Sequence, residues 1–170
     1  MAEGTFGNPQ VIEEEVDILI IGGGMAACGA AYEIGQWTEA AKAKGVNIKV
    51  KLVDKAAMDR SGAVAMGLSA INTYCGENDP ADYVRYVRND LMGITREDLV
   101  ASIARHVDST VHLFEKWGLP IWKDKEGNYV HEGRWQLMIN GESYKVIVAE
   151  AAWPPAARRW RRPTGPNSTA

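Results

Sequence analysis

Cysteine, phenylalanine and histidine are scarce: 170 residues hold two, two and three of them. Cys28 and Cys75 have no CxxC spacing, no zinc set and no secretory context, so reduced thiols in a cytosolic chain are expected. His106 and His112 are six apart on a predicted helix and share no face, and His131 falls in a loop. Such histidines suit solvated or capping roles, and no metal site is expected. No Ser-His-Asp or Cys-His set can be assembled. Long apolar runs are missing too. The longest aliphatic stretch, Ile18 to Ile21, is far short of the roughly 20 residues a membrane helix needs, so no transmembrane segment is expected. MAEGTFGNPQVIEEEVD has neither a basic n-region nor an apolar h-region, so no signal peptide is expected.

Charge of one sign is missing from the end of the chain. Residues 153–170 carry Arg158, Arg159, Arg161 and Arg162 and no acid, so without these four charges the net −3 of the chain becomes −7 for residues 1–152. That acidic body argues against general affinity for nucleic acid. The tail, WPPAARRWRRPTGPNSTA, has four prolines and no hydrophobic period. It reads as a disordered basic tail or, because composition changes so abruptly after Ala152, as a non-native end.

An apolar fraction of 46% and a charged fraction of 24% are those of a soluble globular domain with a real core. After a polar lead-in over residues 1–15, Val16 to Ile21 is a β-branched run, the pattern of a strand buried on both faces. Gly22-Gly23-Gly24 breaks it, and an Ala-rich helix is predicted from Met25 to about Lys44, with Gly45 as its stop. Val46, Ile48, Val50 and Leu52 then alternate with polar residues, predicting a second strand that runs to Val53. Strand, glycine turn, helix and strand make a β-α-β unit with parallel strands, and the fold class is α/β of Rossmann-like type.

Gly22-Gly-Gly24-Met25-Ala26-Ala27 matches G-x-G-x-x-A. Gly22 permits the tight turn, Gly24 lets a pyrophosphate approach the helix N-terminus, and Ala27 allows close helix–strand packing. Asp54 ends the second strand, where a carboxylate can accept from ribose hydroxyls. The 32 residues from Gly22 to Asp54 exceed the roughly 20 of the compact NAD-type unit, which leans toward FAD while leaving NAD open. Beyond it, RSGAVAMG (60–67) is small and glycine-spaced. Its backbone could meet a flat ring, or it could be a tightly packed loop.

Asp79-Pro80 predicts a helix start, with Tyr83, Val84, Val87 and Leu91 as its apolar face and Gly93 as its end. Thr95 with Asp98 predicts a further helix whose face runs through Leu99, Ile103, Val107, Val111 and Phe114 to Gly118. Asp124–Asn128 predicts a turn in a hairpin, and Glu142 to Ala152 a last helix. Trp117, Trp122 and Trp135 could stack on an adenine, though core or interface roles suit them better.

Several stretches carry a resemblance: VDILIIGGGMAACGAAYEIGQW, KLVDKAAMDRSGAVAMGLSAINTY, DPADYVRYVRNDLMGITREDL, HLFEKWGLPIW and GRWQLMINGESYKVIVAEAA. Together they span nearly all of residues 12–152. They resemble the flavoprotein family of fumarate reductases and succinate dehydrogenases, and within it the alpha subunits of dissimilatory adenylylsulfate reductases. The resemblance implies that FAD is held by Gly22, Gly24, Met25, Ala26, Asp54 and Lys55, with Ser61, Gly62, Ala65 and Met66 from the loop. Gly62 stands where such flavoproteins often carry a flavin-linking histidine, which implies non-covalent FAD. Asn72 resembles a residue lining the substrate side of the flavin, the alternative being a strand-end or turn cap.

The implied activity is reduction of adenosine 5′-phosphosulfate to sulfite and AMP, or its reverse, through a flavin–sulfite adduct. An iron–sulfur beta subunit is the implied partner, since this chain has no four-cysteine cluster set of its own. The expected organisation is therefore a lead-in (1–15), an FAD-binding unit with its flavin loop (16–78), a helical region with a hairpin (79–152) and the tail (153–170). Members of the family are several times longer, so an N-terminal fragment, inactive alone, is expected. A nucleotide-binding module without redox turnover and an NAD-dependent dehydrogenase are the alternatives.

Overall fold

The computed structural model describes residues 11–76 and 79–152, and the expected tail at 153–170 lies outside them. Strand β1 (Ile18–Ile21) pairs in parallel with β2 (Val50–Val53), Ile18 opposite Val50 and Ile21 opposite Val53. Helix α1 (Met25–Lys42) joins them, completing the β-α-β unit. The second strand is shorter than its alternation predicts. The Val46 N–H is taken by the Ala41 carbonyl at 3.0 Å, closing the helix end with Gly45 at φ 80°. At 49 the Asp17 carboxylate accepts the Lys49 N–H at 2.7 Å, so ladder pairing starts one residue later.

The first strand is not buried on both faces. Leu19 and Ile21 are 54% and 78% exposed while Ile18 and Ile20 are half-buried. Helix α1 covers one face of the pair, and among the described residues no element covers the other.

A second, antiparallel sheet has the order β3 (Ala70–Asn72), β5 (Gln136–Met138), β4 (His131–Glu132). His131 thus sits in a short strand rather than a loop. These strands are too short for a period to show. A 3-10 turn, Ala63–Met66, precedes β3 within the glycine-spaced stretch. The Asp124 turn forms as expected: its Oδ1 accepts the N–H groups of Glu126 and Asn128 at 3.0 and 2.8 Å, and Lys123 bridges to Tyr129.

Helix α2 (Pro80–Asp90) starts on Asp79, whose carboxylate accepts the Ala81 N–H at 2.9 Å. The long helix expected from Thr95 is in fact two, α3 (Glu97–Ala104) and α4 (Val107–Lys116). His106, at φ −121° and ψ −3°, breaks the helix, and its carbonyl accepts the hydroxyls of Ser109 and Thr110 at 3.0 and 2.7 Å. The expected face divides with it. Val107, Val111 and Phe114 are buried, whereas Leu99 and Ile103 are exposed.

Helix α5 (Tyr144–Ala151) packs on α1 and on the 3-10 turn. The larger core joins Cys28 and Met58 to Phe114, Leu119, Ile139, Tyr144 and Val148. A smaller one holds Tyr74, Tyr83, Ala104 and Val107 with Trp135 against them. Trp135 stacks on Tyr86 at 5.1 Å between centroids and Trp117 meets Tyr32 edge-on at 4.8 Å, so these two tryptophans occupy separate packing sites, while Trp122 is exposed. No common stacking surface forms.

Candidate functional site

The turn between β1 and α1 is built as the spacing predicts. Gly22 has φ 96°, a conformation that side-chain-bearing residues rarely adopt, and its N–H continues the ladder to the Val53 carbonyl at 2.7 Å. Gly24 is the N-cap of α1, and a Cβ built there meets no atom within 4 Å. Open space thus lies directly over a helix N-terminus of 18 residues, whose first N–H groups have no partner within the helix. Met25 and Ala26 follow in the first turn, half-buried and exposed.

Gly23, between the two motif glycines, is buried and carries a constraint that the motif does not express. A Cβ there would collide with the Asp54 carboxylate and fall 2.6 Å from Met58 Cγ. Its lack of a side chain is what lets Asp54, at the end of β2, reach the glycine turn. Asp54 also accepts the Ala56 N–H at 3.2 Å, which turns the chain away from the strand. Strand end, turn and acidic residue therefore converge, leaving Asp54 exposed beside the open space. Lys55 follows it, exposed.

The loop packs into the same core: Val64 lies against the cluster that holds Cys28 and Met58. Ala65 caps a small turn by donating to Gly62 at 3.1 Å, and Ser61 and Ala65 are half-buried while Met66 is 87% exposed. Gly62 has φ 88°, so a histidine there would be strained. Gly141 holds the loop's far end: a Cβ on it would meet the Leu68 carbonyl carbon at 2.7 Å, and Ile139 donates to the Ser69 carbonyl at 2.9 Å. Only glycine permits that approach.

Two further residues were missed by motif reasoning. Lys145, in the first turn of α5, is 2% exposed, and its ammonium donates to the Gly23 carbonyl and lies 3.9 Å from Cys28 Sγ. Cys28, one turn into α1, donates to the same carbonyl at 3.4 Å. Burial pushes its thiol up from the usual range; Lys145 pulls it back and Asp54 adds to the rise. A lysine within a predicted helix gives no sequence signal of burial.

Asn72 stands apart from the turn. Its side chain donates to the Tyr86 hydroxyl at 2.8 Å and accepts from that of Tyr83 at 2.6 Å, so α2 fixes its amide. It is exposed and lines a 400 Å³ groove between β3 and α3–α4, with Ser102, His106 and Thr110 among the other lining groups. Among the described residues no His, Cys, Asp and Glu group could hold a metal ion, and no helix is long and apolar enough to cross a membrane.

An open helix N-terminus, a positive-φ glycine before it and an acidic residue at the next strand's end converge, an arrangement whose N–H groups and carboxylate could receive a dinucleotide. Residues 17–161 match the FAD binding domain family. The chain belongs to that family. As an FAD-binding domain it is similar to the adenylylsulfate reductase alpha subunit of Megalodesulfovibrio gigas, 54% identical over 168 aligned residues that take in 87% of this chain and 25% of the relative. Two solved structures match at 64% identity and a TM-score of 0.71, covering 81% of this chain and 22% of theirs. One is an adenosine-5-phosphosulfate reductase in complex with sulfite as a covalent adduct, the other the adenylylsulfate reductase of Archaeoglobus fulgidus. An Escherichia coli quinol fumarate reductase shares the fold, at 19% identity and a TM-score of 0.59. The chain spans about a quarter of the length of the curated relative it matches.

Proposed function

We propose that this chain is the N-terminal, FAD-binding part of an adenylylsulfate reductase alpha subunit, which reduces adenosine 5′-phosphosulfate to sulfite and AMP. The 64% identity to the sulfite-bound reductase is the observation that carries this reading, since it far exceeds what a shared flavoprotein fold requires. FAD supplies the two-electron chemistry when bound. The residues of this chain bind and orient it. Gly22 and Gly24, with the N–H groups of Met25 and Ala26, receive the pyrophosphate, and Asp54 with Lys55 receives the adenosine ribose. Ser61, Gly62, Ala65 and Met66 face the flavin from the loop, and Gly62 offers no atom for a covalent link. Asn72, its amide held by Tyr83 and Tyr86, faces the substrate.

The substrate's cationic partners and the rest of the flavin pocket belong to the portion of the relatives beyond this chain's match. A cytoplasmic assembly with an iron–sulfur beta subunit supplies the electrons. The test is a subunit of the relatives' full length, co-purified with that partner and given a reduced dye and adenosine 5′-phosphosulfate. Equimolar sulfite and AMP are expected. A preparation without flavin absorbance, or with flavin and no AMP release, refutes the proposal.

A further inference from the structure

Lys145 is a buried cation, 2% exposed, with no ion-pair partner among the described residues. The Asp54 carboxylate, packed against Gly23, is exposed to solvent and makes no ion pair with it. Its partners are a backbone carbonyl and a thiol, Gly23 O and Cys28 Sγ, and burial pushes that thiol up from its usual range. Position makes matters worse. Lys145 is the second residue of α5, whose first turn has no acid, so it faces the positive end of its own helix dipole. Through Gly23 it also sits behind the N-terminus of α1, a second positive end. A buried ammonium beside two helix N-termini is costly unless an anion joins it. The open space above Gly24 is where one fits.

We propose that Lys145 is the buried counter-charge of the dinucleotide's pyrophosphate, acting from behind the glycine turn through the Gly23 peptide. Two negative charges arriving over Gly24 give the lysine an anionic partner that no ion pair among the described residues supplies. The lysine thereby couples α5, more than 120 residues along the chain, to cofactor binding. This inference rests on FAD binding at the glycine turn.

The test uses Lys145→Gln, which keeps a donor for the Gly23 carbonyl and loses the charge, and Lys145→Met, which loses both. FAD affinity is read by flavin fluorescence, riboflavin serves as the phosphate-free control, and thermal melts are run without ligand. Both variants are expected to bind FAD at least about tenfold more weakly than wild type, the scale of a charge interaction across one peptide unit. Riboflavin affinity is expected to stay unchanged, and the ligand-free variants to melt at or above wild type. A glutamine variant that binds FAD like wild type, an equal loss for riboflavin, or a lower ligand-free Tm (an unfolded variant included) makes Lys145 a structural tether and overturns the proposal. Wild type that takes up no FAD removes the binding reading itself, and the proposal with it.

Discussion

Adjacent glycines in the turn are expected to respond oppositely to the same added methyl group. At Gly23 the methyl overlaps the Asp54 carboxylate and lies 2.6 Å from Met58 Cγ, against an ordinary carbon–carbon contact of about 3.5–4.0 Å. Met58 is 2% exposed and has nowhere to go, so roughly 1 Å of displacement falls on it and on Asp54. Gly23→Ala should therefore cost about 1–3 kcal/mol, the usual range for an overpacked core. For a chain of this size that is a fall in Tm of about 2–12 °C. FAD affinity falls with it, because Asp54 is displaced.

Gly24→Ala meets no atom within 4 Å, and its φ of −72° and ψ of −177° suit any residue. A gain of about 0.4–1 kcal/mol from the stiffer unfolded chain offsets a similar loss from replacing a glycine N-cap by alanine. Ligand-free stability should stay within about 0.5 kcal/mol of wild type. Its methyl nevertheless occupies the space over the helix N-terminus, and an overpacking cost of about 1–3 kcal/mol there means roughly 5- to 150-fold weaker FAD binding. The assay is a pair of thermal melts for each variant, with and without saturating FAD. A Gly24→Ala chain that melts well below wild type, or that gains as much stability from FAD as wild type does, would refute the reasoning. So would a Gly23→Ala chain of unchanged Tm.

Asp79→Ala removes the carboxylate that accepts the Ala81 N–H and should cost about 0.5–2 kcal/mol, read as a lower urea midpoint at unchanged slope. Tyr144 is pushed up by burial from 10.0 to about 12. Between those values the unfolded chain has released a proton that the folded chain keeps, so the stability this group contributes below pH 10 is lost as pH rises to about 12. Tyr144→Phe should flatten that alkaline loss in pH-dependent urea melts, leaving the part due to Tyr129, likewise raised to about 12, chiefly by burial and then by its bond to Glu115. Acid precipitation of the FAD-loaded protein should leave all flavin in the supernatant, since Gly62 has no side chain; flavin retained in the pellet would contradict non-covalent binding.

Local patterns in the chain carried the β-α-β unit, the turn at Gly22–Gly24, the Asp79 cap and the Asp124 turn, because each depends on residues within a few positions of one another. The dinucleotide motif was legible for the same reason: Gly22, Gly24 and Asp54 stand at the ends of elements whose periods are visible. Where an element departed from its period, a competing local hydrogen bond decided. Val46 left the second strand for the Ala41 carbonyl, and Ser109 and Thr110 took the His106 carbonyl and split a helix whose hydrophobic period is unbroken. Gly141 against Leu68, Asn72 between two tyrosines and Lys145 under Gly23 could come only from tertiary structure, since they join residues 11 to 122 apart whose types announce nothing. Sequence alone thus determined that a glycine turn of the dinucleotide type opens this chain. Packing decided what stands behind it, for a lysine's burial depends on where the next helix docks.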